Sequence, residues 1–268
     1  MSEAKYTPEE IISRLELKPV TQYQSEIISS PLEPSVVIAG AGSGKTETMS
    51  NRVLYLVANG FVTPDQILGL TFTRKAAGEL SVRIRKRLRQ LAAHKDFKHI
   101  TSTSTSVTTY HSYAGKLLSE HAIRYGIDAD AEPLGEAAIW QIASDVVRNW
   151  SDDSYRNQSA VSTVIKDLLG LSKLMLEHQV KAEDIERIGN EVLLSLQPLT
   201  GSSNAEVRDV AKAMRQRNSL LPMVETFMQR RKAAGEFSFD DQMSLAADIA
   251  QNFEDVGVLE RGKYKVVL

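Results

Sequence analysis

Residues Ala39-Gly-Ala-Gly-Ser-Gly-Lys-Thr46 constrain this chain more than any other stretch, because a loop of small residues ending in Gly-Lys-Thr can fold in few ways. Such a loop lets successive backbone N–H groups turn toward a common centre, forming a cradle for phosphate. Lys45 can then reach the β and γ oxygens of a nucleotide, and the Thr46 hydroxyl can ligate Mg²⁺. Val36-Val-Ile38 reads as a buried strand entering the loop, and the residues after it as a helix whose N-terminus favours an anion. The first position is Ala39 where the pattern has Gly, and a small residue still fits there. Side chains at Gly42 or Gly44 would block close approach of the backbone. Ala39, Gly40, Ala41, Gly42, Ser43, Gly44, Lys45 and Thr46 are therefore the candidate nucleotide-binding residues.

The rest of the composition is that of an ordinary folded protein. At 268 residues, 42% hydrophobic and 25% charged, the chain has room for two domains and a substantial core. Its formal net charge of −2 means that any nucleic-acid site must come from local clustering. There is no cysteine, which excludes disulfides, thiolate metal sites and cysteine nucleophiles, and fits a reducing cytoplasm. The N-terminus is polar and no apolar run approaches bilayer length, so a soluble cytoplasmic protein with no membrane partner is expected.

Helix and strand signals alternate at the front of the chain. Thr7-Pro-Glu-Glu10 is a helix start with Thr as N-cap and Glu10 closing a capping box, and Thr63-Pro-Asp-Gln66 repeats that chemistry. Short β-like runs at 36–38, 67–72 and 107–110 alternate with amphipathic helical stretches, which argues for a parallel α/β sheet. From about Ala114 to Glu236 strands give way to helical spacing: Ile139, Ile142, Val146; Ile185, Ile188, Val192, Leu196; Val207, Val210, Met214. Tyr264 to Leu268 reads as a strand again. The expected architecture is α/β, with residues 1–113 and 238–268 forming a nucleotide-binding domain and 114–237 an inserted all-helical subdomain. Thr101 to Ser106 reads as a surface loop.

Further side chains complete the candidate site. Gln24 lies fifteen residues before Ala39, and a glutamine amide can donate to and accept from the N7 and N6 edge of adenine, making ATP the expected cofactor. The helix expected after Leu70-Thr-Phe-Thr73 carries an apolar stripe of Ala77, Leu80, Ile84, Leu88 and Leu91. Its other face holds Arg74, Lys75, Arg83, Arg85, Lys86, Arg87 and Arg89 against Glu79 alone. Cations in a first helical turn oppose the helix dipole unless an anion docks beside them, and Phe72 can serve as a base-stacking platform next to that charge. Taken alone, the basic run reads rather as a solvated helix face and Phe72 as a core aromatic. Val107 to Ser112 is another strand end, with Thr109, Tyr110 and His111; no carboxylate cluster there suggests metal or catalysis. Ser238 to Asp241 reads as a capping box opening a helix at Phe239.

In order, these segments are Gln24, AGAGSGKT, LTFTRKAAGEL at Leu70 to Leu80, TTYHSYA at Thr108 to Ala114, and GEFSFDDQM at Gly235 to Met243. The series resembles the N-terminal half of the UvrD/Rep group of superfamily 1 DNA helicases over nearly the whole chain. The resemblance implies a RecA-like P-loop NTPase domain (subdomain 1A) and a helical 1B subdomain that touches duplex DNA. It also implies ATP with Mg²⁺ and 3′ to 5′ translocation serving repair or recombination. By it, Gln24 is the adenine-reading residue, Lys45 and Thr46 are catalytic parts of the phosphate loop, and Phe72, Thr73, Arg74, Thr109, Tyr110 and His111 contact single-stranded DNA. Many relatives carry Arg directly after Gly-Lys-Thr, where this chain has Glu47; Arg52, further along the helix, is the candidate to make that nucleotide contact instead.

In the family, a strand like Lys265-Val-Val-Leu268 runs into an Asp-Glu pair that holds Mg²⁺ and orients the attacking water. The resemblance therefore implies a truncated piece that holds nucleotide without hydrolysing it well and needs the second motor domain of the helicase to move on DNA. A non-enzymatic DNA-binding or partner-docking module is the alternative, and another phosphate-loop enzyme such as a small-molecule kinase would leave the Phe72 and His111 segments unexplained. Open sheet edges would also favour self-association.

Overall fold

The computed structural model describes residues 4–128, 130–151, 160–197 and 205–268, which divide into two compact units. One comprises the chain up to Tyr113 together with Ala250–Leu268; the other is Ala114–Ile249.

In the first unit, α1 (Pro8–Arg14) opens on the capping box expected at Thr7, with Glu10 N–H donating to Thr7 Oγ1 and Thr7 N–H to Glu10 Oε2. The similar signal at Thr63 yields only a single 3₁₀ turn, Pro64–Gln66, because strand β1 (Ile67–Thr71) begins at once. Helix α2 (Gln22–Ser29) precedes the phosphate loop and α3 (Lys45–Ala58) follows it. Val53 to Ala58 of α3 are buried on every side, so this helix forms the middle of the core. Helix α4 (Arg74–Ala93) buries the five apolar positions expected of it, Ala77, Leu80, Ile84, Leu88 and Leu91. Phe97 and Ile28 close the same cluster.

The sheet has three strands in the order β2 (Ser106–Thr109), β1, β3 (Val266–Val267), and both pairings are parallel. Leu70 faces Thr108 and Thr71 faces Thr109, so β1 and β2 end on the same rim. Helix α4 follows β1, and α5 (Tyr110–His121) follows β2. One expectation fails here: Val36–Ile38 is not a buried strand. Val36 is 89% and Ile38 96% exposed, and the segment has no regular structure. A β-branched run becomes a buried strand only when neighbours pair its backbone and cover its faces. No described strand lies beyond β3 to do so.

The second unit contains α6 (Glu136–Arg148), α7 (Val161–Glu177), α8 (Ala182–Leu196), α9 (Ala205–Ala233) and most of α10 (Asp241–Asn252); α11 (Glu254–Lys263) returns to the first unit. Its core gathers Val147 of α6, Val164 and Leu168 of α7, and Met223, Val224 and Phe227 of α9. The expected helical positions are helical, yet Ile188 and Val210 are about half exposed. This unit extends to Ile249 rather than ending at 237. Asp241 explains the difference, because its buried carboxylate pairs with Arg231 of α9 and also accepts from Ser238 N–H. That anchor likewise starts α10 at Asp241 rather than at Phe239.

Candidate nucleotide and nucleic-acid site

The phosphate loop takes the form that its glycines permit. Gly42 and Gly44 sit at φ +77° and +87°, left-handed conformations that cost other residues about 1–2 kcal/mol. Gly42 has open space around its Cα, so its requirement is conformational and not the steric one expected. Gly44 is tighter, since a Cβ there would lie 3.0 Å from Gln24 Nε2. Gly44 is also the N-cap of α3 and supplies no side-chain cap, which leaves the first-turn amides of that helix available to an anion. Lys45 is exposed, its ammonium folded back on its own loop to donate to Gly40 O at 2.7 Å and Ala39 O at 3.2 Å. An ammonium held by neutral carbonyls is well placed to exchange them for phosphate oxygens. Thr46 is exposed beside it, so the residues present fit a magnesium nucleotide.

Gln24 is tied directly to this loop. Its Nε2 donates to Ser43 O at 3.1 Å while its Oε1 accepts from Thr21 N–H in the capping box of α2. An amide carries two N–H groups and two lone pairs, so one donor and one acceptor remain for a base edge. Replacing Gly44 with Ala would strain the left-handed turn and press on this amide together. We expect that variant to lose about tenfold or more in affinity for a fluorescent ATP analogue. The thermal midpoint should fall by only a few degrees, because the loop lies outside the core.

Two cations and one anion near the loop act otherwise than their sequence positions suggest. Arg52 is buried, and its guanidinium donates to the carbonyls of Ile27, Ile28, Ser30 and Pro31 and to Ser30 Oγ, at 2.8 to 3.1 Å. It closes the C-terminus of α2 and does not stand in for a nucleotide-contacting arginine. The physical reason is that the last carbonyls of a helix need donors, and a fork of N–H groups supplies several from one side chain. Glu47 has turned to α4, where it accepts from Arg83 at 3.1 Å and pairs with Arg87. Its charge is thereby neutralised in the first turn of the helix that would receive the phosphates. The same contacts remove Arg87 from the basic face that the sequence displays. Arg74, Lys75, Arg85, Lys86 and Arg89 stay exposed.

At the ends of β1 and β2 the parallel register brings Phe72 and Tyr110 together, with ring centroids 5.4 Å apart at a tilt of 45°. Phe72 is 90% exposed, so it is not a core aromatic. An exposed ring is costly to leave in water, and a flat apolar ligand would cover it. Thr73 caps α4 by accepting from Ala76 N–H, and Arg74 begins that helix beside the rings. His111 is exposed, whereas Thr109 points inward, buried, with its hydroxyl donating to Ser112 Oγ and accepting from Ser112 N–H. Thr109 therefore secures the turn into α5, and its hydroxyl proton is already donated within the chain. Ligands of parallel α/β sheets bind at the carboxyl ends of strands, and that rim is where these rings and cations stand.

The family model for the UvrD/REP helicase N-terminal domain matches residues 20–268. This chain belongs to that family. It is 36% identical over 111 residues to "DNA helicase II" of Haemophilus influenzae, covering 41% of this chain and 14% of that protein. It is 30% identical over 143 residues to "ATP-dependent DNA helicase PcrA" of Staphylococcus epidermidis, covering 52% and 18%. To "ATP-dependent DNA helicase UvrD1" of Mycobacterium leprae it is 24% identical over 261 residues, covering 97% of this chain and 29% of the relative. The chain thus spans less than a third of the length of these helicases. No helix among the described residues is long and apolar enough to cross a membrane.

Proposed function

We propose that this chain is the nucleotide- and DNA-binding N-terminal portion of an ATP-dependent 3′ to 5′ DNA helicase of the cytoplasm. The observation that carries this reading is the pairing, in one unit, of a phosphate loop primed for an anion with an exposed aromatic pair flanked by Arg74 and Lys75. In it, the first unit is a RecA-like P-loop domain and the helical unit is the family's 1B subdomain, which touches duplex DNA. Gln24 reads adenine, Lys45 and the amides of Ala39 to Thr46 hold the triphosphate, and Thr46 ligates Mg²⁺. Phe72 and Tyr110 stack bases of single-stranded DNA, with Thr73, Arg74 and His111 beside the backbone. The second motor domain of a helicase is the partner that would convert binding into movement.

Among the described residues lining the cleft at the phosphate loop, Glu33 is the single one with a carboxylate side chain. This favours, as a second reading, a role in binding nucleotide and DNA without turnover by these residues. DNA-stimulated ATP hydrolysis by the purified 268-residue protein would eliminate it.

The DNA-binding half is tested with a fluorescent oligothymidylate. Phe72→Ala should weaken binding by about 1–3 kcal/mol, roughly 5- to 150-fold, the range for removing one stacking partner. Affinity of the unaltered protein should fall steeply with salt as phosphate contacts release counterions. A Phe72→Ala protein that binds as tightly as the original, at any salt, would remove the aromatic pair from the reading.

A further inference from the structure

Helix α4 carries its exposed cations in an arrangement that folding alone does not require. Given the turn of an α-helix, Arg74, Lys75, Arg85, Lys86 and Arg89 fall within about 120° of arc on the side away from the buried stripe, and all five are exposed. Arg83 and Arg87 project from the other flank, where Glu47 holds them. Arg85 and Arg89 stand four residues apart and Lys86 and Arg89 three, spacings at which like charges repel. None of the five meets a carboxylate among the described residues; Arg85 donates to Ser81 Oγ of its own helix at 3.5 Å. The helix dipole favours cations only in the last turn, and the last turn of α4 has none.

We infer that Arg85, Lys86 and Arg89 form a second phosphate-binding track, which takes the backbone of single-stranded DNA beyond the Phe72 and Tyr110 rings. This rests on the DNA-binding reading of those rings and extends it along the helix. Arg74 and Lys75 begin the stripe beside Phe72, and the other three continue it along the same arc, with Glu79, the one acid of α4, just outside. From Arg74 to Arg89 the helix rises about 22 Å, the length of roughly six phosphates of one strand.

The chemistry of the face selects the occupant. Protein partners bind through aromatic and apolar anchors, and Val82 is the one large apolar residue exposed on α4. A row of cations without such anchors suits a polymer that presents an anion at regular intervals. A duplex is stiff, and its backbone winds away from a straight helix, whereas a single strand bends to follow it. Since no aromatic ring is exposed on α4, the track touches phosphate and is indifferent to the base.

The test measures binding of the purified 268-residue protein to a fluorescent thymidine tetramer, which covers the rings alone, and to a hexadecamer that also reaches the track. Replacing Arg85, Lys86 and Arg89 together by Gln should weaken the hexadecamer about tenfold or more at about 0.1 M salt and leave the tetramer unchanged. The slope of log affinity against log salt should fall by about two, the counterions released by three single-strand contacts. Removing the bases from the last twelve nucleotides should cost nothing, and Arg85→Lys with Arg89→Lys should retain binding because the charge is kept. Phe72→Ala should weaken both oligonucleotides. Equal loss for tetramer and hexadecamer in the Gln variant, an unchanged salt slope, or loss of binding by the partly abasic strand would each overturn the track. So would polyglutamate binding abolished in the Gln variant while its hexadecamer affinity is unaltered, which would assign the face to an acidic protein. A tetramer that binds through Phe72, with a hexadecamer indifferent to the Gln variant, ends this inference and leaves the ring reading standing.

Discussion

Lys45→Ala should reduce the affinity of the protein for a fluorescent ATP analogue by roughly 100- to 10,000-fold while leaving the fold unchanged. The size follows from what the ammonium would do. Hydrogen bonds involving charged groups contribute about 1.5–3 kcal/mol each, Lys45 is placed to make two to phosphate oxygens, and each 1.4 kcal/mol is a factor of ten. Structural cost is small, since the exposed side chain bonds only to Gly40 O and Ala39 O of its own loop, and those carbonyls can turn to water. Isothermal titration of each protein, with circular dichroism to check folding, separates the two effects. Equal affinities in Lys45→Ala and the unaltered protein would disprove nucleotide binding at this loop.

Arg52→Ala should have the opposite signature, a large loss of stability with affinity falling only as a consequence. Five contacts from one buried guanidinium satisfy the end of α2 and the turn after it. Leaving a buried acceptor unpaired costs about 1–3 kcal/mol, and these losses overlap, so a total of about 3–5 kcal/mol is expected for the unit. Calorimetry should show the transition of that unit lowered by roughly 10 °C or more. Arg52→Lys should recover only a minor part, because an ammonium cannot span carbonyls arranged for a planar fork. An unchanged melting transition accompanied by weaker ATP binding would return Arg52 to the nucleotide site.

Glu47 shows how the same local signal acquires a different role in three dimensions. By the family resemblance, it stands where many relatives carry an arginine after Gly-Lys-Thr and reads as a defect in the site. In the folded unit it draws Arg83 and Arg87 across from α4, which joins the phosphate-loop helix to the helix that carries Arg74 and Lys75. Thr109 was expected at the DNA surface from the family resemblance, yet Ser112 one turn on gave its hydroxyl a closer partner. Val36–Ile38 failed as a strand for a different reason. Pattern reports a capacity for pairing, and pairing also needs a neighbour.

What the sequence determined by itself is whatever neighbouring residues impose on one another. Small residues at 39 to 44 fix a loop with left-handed glycines, Thr7 and Glu10 close a cap three residues apart, and the spacing of Ala77, Leu80, Ile84, Leu88 and Leu91 gives one buried helix face. Only the tertiary structure decided that Arg52 reaches back to Pro31, that Glu47 meets Arg87, and that the rings of Phe72 and Tyr110 meet at the end of two paired strands. The physical reason is that caps and periodic faces depend on contacts a few residues apart. The partner of a charged or aromatic side chain depends on which distant segments the packing of the core brings within reach.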